Sequence, residues 1–174
     1  MITIIAGTNR PNSNARIISE IYADLLQQRG EACQILDLKD LPEDFIATAL
    51  YENNGKNAGF NKLNELINTS DKFVFIVPEY NGSYPGVLKA FIDGLSYPNS
   101  LKNKKAALVG ISTGTQGGAI ALSHLTDVLH YIGTHVLAAK PRLMFIHKNL
   151  NEGKLTNTLY LSLLQEQIDS FLSF

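Results

Sequence analysis

Short apolar runs rich in β-branched residues alternate along this chain with segments whose apolar residues recur at helical spacing. That alternation restricts the fold more than any other feature. Ile2 to Ala6 is short, apolar and closed by Gly7, as a strand buried on both faces of a parallel sheet should be. Ile17, Ile18, Ile21, Leu25 and Leu26 then fall on one side of a helix that Gly30 ends. Ala32 to Leu38, Phe73 to Val77 (stopped by Pro78) and Ala106 to Ile111 predict three further strands, and His135 to Ala139 a fifth. Between the third and fourth strands, Val87, Leu88, Phe91, Ile92 and Leu95 mark a helix; Leu125, Val128, Leu129 and Ile132 mark another after the fourth. A last helix, about Thr156 to Leu172, carries Leu161, Leu164, Ile168 and Phe171. Such a series predicts a doubly wound α/β domain, a parallel sheet with helices on both faces. Right-handed crossovers bring its strand-to-helix loops to one edge, where these sheets bind ligands. Pro42 to Gly59 has weak periodicity and two Asn-rich turns, Asn53-Asn54-Gly55 and Asn57-Ala58-Gly59. It reads as a long surface loop, a candidate lid or subunit contact.

Residues 1–174 are the length of one domain, able to bury a core without disulfide or metal. Lys and Arg number 15 against 16 Asp and Glu, a net charge of −1 that gives no field to attract nucleic acid or an anionic membrane. Met1 to Ala6 lacks a basic start and is followed by polar Gly7 to Asn14, so it reads as strand and loop, not as a signal peptide. No run reaches membrane-spanning length. The single cysteine, Cys33, lies in a strand-like run and reads as a small buried thiol; a cytoplasmic location fits. His124, His130, His135 and His147 form no metal-ligand pattern with Cys or carboxylates. Lys102, Lys104 and Lys105 read as a solvated basic loop.

Three of the strand-to-helix loops carry chemistry. The first, Gly7 to Arg16, combines the hydroxyls of Thr8 and Ser13, the amides of Asn12 and Asn14, and Arg10, before a helix N-terminus. That combination suits a phosphate, although Ser13 would also serve as an ordinary N-cap. It is neither a Gly-Lys-Ser/Thr phosphate loop nor a Gly-x-Gly-x-x-Gly turn. The second, Pro78-Glu79-Tyr80-Asn81-Gly82-Ser83-Tyr84-Pro85-Gly86, is a rigid turn holding an aromatic ring and polar groups at the sheet edge. In the third, Ser112-Thr113-Gly114-Thr115-Gln116-Gly117-Gly118, glycines let a flat ligand approach the backbone. The N–H groups of Gly117 and Gly118 are expected to face its carbonyl oxygens. Together the loops describe a pocket for a phosphorylated planar cofactor.

These residues resemble the NADPH-dependent FMN reductase family, which includes quinone, azo-dye and chromate reductases. The resemblance is carried by Gly7-Thr8-x-Arg10-x-x-Ser13, by Pro78-Glu79-Tyr80-Asn81-Gly82-Ser83-x-Pro85-Gly86-x-Leu88-Lys89-x-x-x-Asp93, and by Ser112-x-Gly114-x-x-Gly117-Gly118. The second block is the specific one. The resemblance implies a flavodoxin-like fold with five parallel strands in the order 2-1-3-4-5. It implies FMN, with Thr8, Arg10, Asn12, Ser13, Asn14 and Ala15 around its phosphate. Pro78 to Ser83 would line the isoalloxazine and ribityl chain, and Ser112, Thr113, Gly114, Gly117 and Gly118 would meet the dioxo end of the ring. Two departures stand out: Thr8 replaces a common Ser, and Asn14 follows Ser13 by one position where relatives place an Asn two positions on.

The resemblance further implies an NAD(P)H-dependent enzyme in which hydride passes from NADPH or NADH to FMN and on to a small-molecule acceptor: a quinone, azo dye, free flavin or metal oxyanion. The chemistry would then lie on the flavin, with no catalytic side chain. It also implies a homodimer or homotetramer. A flavodoxin-type electron carrier is the rival reading; such carriers are usually strongly acidic, because charge steers their encounters, and this chain is not.

Overall fold

The computed structural model describes residues 1–96 and 100–174. Its sheet follows the expected order, with β1 (Ile2–Ala6) between β2 (Cys33–Asp37) and β3 (Lys72–Pro78), and β4 (Lys105–Ile111) and β5 (His135–Val136) beyond β3. All these pairings are parallel, and β3 and β4 stay in register from Lys72 opposite Lys105 to Pro78 opposite Ile111. The strands are apolar on both faces because helices cover both. On one face Ile4, Ala6, Val74, Ile76, Ala107 and Val109 pack against α1 (Asn14–Gln27) and α6 (Thr158–Ser173). On the other, Ile5, Phe73, Phe75 and Leu108 meet α3 (Ala58–Asn68), α4 (Gly86–Asp93) and α5 (Ala119–Tyr131). Period-two alternation along each strand thus feeds two separate cores.

Three expectations need correction. The stretch Pro42 to Gly59 is not simply a surface loop. It contains a short helix, α2 (Phe45–Thr48), whose Phe45, with Ala49 and Leu50, is buried in the core. Its second Asn-rich turn starts a helix that the sequence reading left unassigned. Asn57 caps α3, its Oδ1 accepting from the Phe60 N–H at 2.9 Å. Phe60, Leu63 and Ile67 then form the buried stripe, and Phe60 stacks on Phe45 with ring centroids 5.9 Å apart.

The fifth strand is also interrupted. After β5 the chain leaves β4 and returns as β6 (Arg142–Leu143), pairing with Gly110 and Ile111. Pro141 has no N–H to give a ladder, and the Leu108 carbonyl opposite the gap needs another donor. Gln167 of α6 supplies it: its buried Nε2 donates to Leu108 O and Ala139 O, both at 2.9 Å, while Oε1 accepts from the Tyr22 hydroxyl at 3.1 Å. An unforeseen hairpin, β7 (Leu150–Asn151) and β8 (Lys154–Leu155), precedes α6. At the sheet's N-terminal edge Lys105 Nζ donates to Phe174 O and Lys72 Nζ to Phe171 O and Leu172 O, covering the negative end of α6. Lys104 bonds Ser70 O and pairs with Asp71. Lys104 and Lys105 are therefore engaged structurally rather than merely solvated.

Candidate active site

At the opposite edge, the C-terminal ends of β1, β3 and β4 open into a cleft of about 690 Å3, a size usual for cofactor sites. The first wall is the turn from β1 into α1. Gly7 leaves the sheet so close to β3 that a Cβ would stand 2.7 Å from the Ile76 carbonyl. Thr8 follows, buried at 1% exposure, and its hydroxyl accepts from the Arg10 N–H at 3.3 Å. Ser13 caps α1 by accepting from the Arg16 N–H at 3.1 Å. Asn14 and Ala15 open the helix at the cleft wall, so its unpaired first-turn N–H groups and positive dipole end lie there. Arg10, Pro11 and Asn12 complete this side. Among the described residues no carboxylate pairs with Arg10, which leaves one cation, a helix N-terminus and two hydroxyls for an anion.

The second wall is Pro78, Glu79, Tyr80 and Asn81. Asn81 and Gly82 both have left-handed φ, 51° and 75°, the conformation of a tight two-residue hairpin turn. Tyr80 and Ser83 exchange two backbone hydrogen bonds across it, 2.8 and 3.1 Å. The Tyr80 hydroxyl lies 2.8 Å from that of Thr8, so the aromatic wall is fastened to the first wall. Two further contacts fasten this turn to α5: Glu79 Oε2 accepts from the Gly118 N–H at 3.2 Å, and Ser83 Oγ lies 2.9 Å from His124 Nδ1.

The third wall is Ile111, Ser112 and Thr113, with Ile146 closing from the segment after β6. Ser112 pins the loop, accepting from the Gly117 N–H and donating to Gly114 O, both at 3.0 Å. Here the structure differs from expectation. The Gly117 and Gly118 N–H groups are spent on Ser112 and Glu79, and neither glycine lines the cleft. Gly117 and Gly110 are both needed for the protein's own packing. Gly117, at φ 58°, would put a Cβ 2.8 Å from the Arg142 Cβ, and a Cβ on Gly110 would collide with the Gly117 carbonyl. Gly82, Ser83, Gly114, Gly117 and Gly118 are not among the residues that line the cleft. The other expected residues, Thr8, Arg10, Asn12, Ser13, Asn14, Ala15, Pro78, Glu79, Tyr80, Asn81, Ser112 and Thr113, line the cleft together. Pro11, Ile111 and Ile146 also line it. Pro11 and Ile111 lie beside the motif residues, whereas Ile146 follows no motif. It is brought in by its N–H on Ser112 O and by the Phe145 N–H on Gly114 O.

With this geometry in hand, the comparisons with known proteins agree. Residues 1–144 match the family model described as NADPH-dependent FMN reductase. An NAD(P)H-dependent FMN reductase of Pseudomonas aeruginosa is 31% identical over 177 aligned residues, covering 95% of this chain and 90% of that protein. A quinone reductase of Pseudomonas putida is 32% identical over 67% of this chain and 62% of its own length, under two thirds. Among solved structures, the flavoenzyme NAD(P)H:(acceptor) oxidoreductase FerB of Paracoccus denitrificans superposes with a TM-score of 0.80 at 27% identity, over 99% of this chain and 94% of that one. A flavodoxin of Fusobacterium nucleatum bound to flavin mononucleotide has a TM-score of 0.59 at 12% identity, over 99% of this chain and 96% of that one, and shares the fold alone. The chain belongs to the NADPH-dependent FMN reductase family.

Proposed function

We propose that this protein, acting as one unit over residues 1–174, is an FMN-dependent NAD(P)H oxidoreductase that reduces a small acceptor such as a quinone, azo dye, free flavin or metal oxyanion. The observation that carries the reading is the Thr8–Tyr80 hydroxyl contact. It joins an anion-binding end and an aromatic wall into one cleft, and a phosphorylated planar cofactor needs both. The residues fit FMN. Arg10, the N-terminus of α1 and the hydroxyls of Thr8 and Ser13 would hold the phosphate. Pro78 to Asn81 would flank the ring from one side, and Ser112 and Thr113 from the other. The close approach of Gly110 and Gly117 keeps the third loop low over β4, leaving the cleft open above it.

FMN, when bound, supplies two-electron carriage between the nicotinamide and the acceptor. The chain's own work is alignment. Tyr80 is held by its hydroxyl at one end and by the hairpin at the other, so its ring defines one wall without side-chain freedom. Ser112 fixes the height of the opposite wall. Such preorganisation lets donor and acceptor meet the ring at near-contact distance in turn.

A second copy of the chain is part of this reading. A groove of about 1170 Å3 runs along α4 and α5, floored by Ile92, Leu95, Val128 and Ile132. Tyr51 and Tyr131 flank it at 78% and 92% exposure. Large exposed aromatics over an apolar floor favour a protein interface, which supports a homodimer or homotetramer. A cytoplasmic setting is consistent with the single unpaired Cys33. Among the described residues no helix is long and apolar enough to cross a membrane.

The test is an anaerobic titration of the FMN-loaded protein with NADPH and NADH, following the flavin absorption band. Rapid bleaching is the expected result. Flavin that binds and does not bleach would favour the electron-carrier reading, and failure to hold FMN would overturn both.

A further inference from the structure

The N-terminus of α5 should, on electrostatic grounds, be an asset to a flavoenzyme. The helix has thirteen residues, and its dipole places about half a positive charge at that end. Reduction of oxidised FMN adds two electrons and one proton and leaves the ring with one negative charge, which a free helix N-terminus would stabilise. In this chain the position is taken. The N–H of Gly118, the residue that caps α5, is bonded to Glu79 Oε2, and Glu79 lines the cleft.

We propose that Glu79 sets the redox balance of the bound cofactor by opposing its reduced, anionic form; the inference rests on the FMN reading given above. Glu79 is held at both ends: its backbone N–H donates to Ile111 O at 3.0 Å and its carboxylate accepts from Gly118. Among the described residues no Lys, Arg or His forms an ion pair with it. A negative charge is thus fixed in the wall of the cavity that must receive another when the flavin is reduced. The same carboxylate consumes the α5 N–H and dipole that could otherwise have met the ring. Both effects weaken binding of the reduced form relative to the oxidised form. They lower the potential of the bound flavin and favour delivery of its electrons to acceptors that are hard to reduce.

The experiment compares wild type, Glu79→Gln and Glu79→Asp. The affinity for oxidised FMN is read by fluorescence quenching. The two-electron potential of the bound flavin is read by anaerobic equilibration with a reference dye. A unit charge within about 12 Å, at an effective dielectric of about 20, changes the ratio of reduced to oxidised affinity by about tenfold. Glu79→Gln keeps an oxygen for the Gly118 N–H and removes the charge. It should shift the ratio by about tenfold toward the reduced form, which raises the potential by about 30 mV. Glu79→Asp keeps the charge and should stay within about threefold of wild type. Equal ratios in wild type and Glu79→Gln, with FMN bound in both, would overturn the role of Glu79 and leave the oxidoreductase reading intact. An Asp variant that shifts as far as the Gln variant would also overturn it, by showing that packing and not charge is responsible. A wild-type protein without affinity for FMN would overturn both readings.

Discussion

Replacing Ser112 with Ala tests how the cleft is held open. Ser112 is 9% exposed, and among the described residues its side-chain oxygen is the only partner shown for the buried Gly117 N–H. Without it, a buried donor loses its acceptor, which costs about 1–3 kcal/mol. The bond to the Gly114 carbonyl is also lost, a further ~0.5–1.5 kcal/mol, although that carbonyl keeps the Phe145 N–H at 3.1 Å. The expected total is therefore about 1.5–4.5 kcal/mol. Where it is felt depends on the loop. If Ser112 to Gly118 stays packed on β4, the whole cost lowers global stability. If the loop opens locally, the cost transfers to the cofactor, which must reorder it. At about 1.4 kcal/mol per tenfold, FMN binding then weakens by roughly tenfold to about a thousandfold. Urea unfolding of the apoprotein, followed by circular dichroism, reads the first outcome; quenching of FMN fluorescence reads the second. Their sum should fall in the stated range. If both quantities stay within ~0.5 kcal/mol of wild type, the size of an ordinary surface substitution, the hydroxyl does not hold the loop and the reasoning fails.

Arg10→Ala should weaken FMN binding by about ten- to a hundredfold, a charge-assisted contact's worth, and the difference should shrink as salt rises; unchanged affinity would remove Arg10 from the site. Gln167→Leu strips donors from the Leu108 and Ala139 carbonyls and leaves the Tyr22 hydroxyl facing an apolar group. It should cost about 3 kcal/mol or more in urea unfolding, with part recovered by adding Tyr22→Phe. Burial pushes the Tyr22 phenol well above its ordinary value of 10.0, so the folded protein keeps a proton that the unfolded chain loses. Stability should be complete below that value and fall by about 1.4 kcal/mol per pH unit above it, a slope that Tyr22→Phe removes.

The strands and most of the helices were legible because they depend on local period, two in the strands and 3.6 in the helices, whereas the strand order came with the family resemblance. The failures occurred where a distant residue decides. The break between β5 and β6 is stabilised by Gln167, whose amide reaches the Leu108 carbonyl from α6. No window around His135 to Ala139 contains that information. The missed helix α3 has another cause. Its apolar positions Phe60, Leu63 and Ile67 have helical spacing, but the Asn-rich sequence before them suggested a turn. Asn57 makes both readings true, since an N-cap is itself a turn residue whose side chain satisfies the first helical N–H.

Glycine shows how far the site itself could be read. A glycine in a loop means that a Cβ would not fit or that φ must be positive; it does not say what occupies the space. At Gly117 the occupant is the Arg142 side chain, and at Gly118 the near neighbours are Gly110 and Ile111 of the adjoining strand. Both belong to this chain and not to a ligand. A loop folded tightly on its own strand cannot also present the same N–H groups to a cofactor. What sequence reading assigned to those amides must then be done by the cavity-lining side chains or left undone. Glu79 makes it the latter, because the donor closest in purpose, the Gly118 N–H, is already bound to a carboxylate. Most of the motif residues come together at one edge, while the sign of the electrostatic environment they create required the hydrogen bond to be seen.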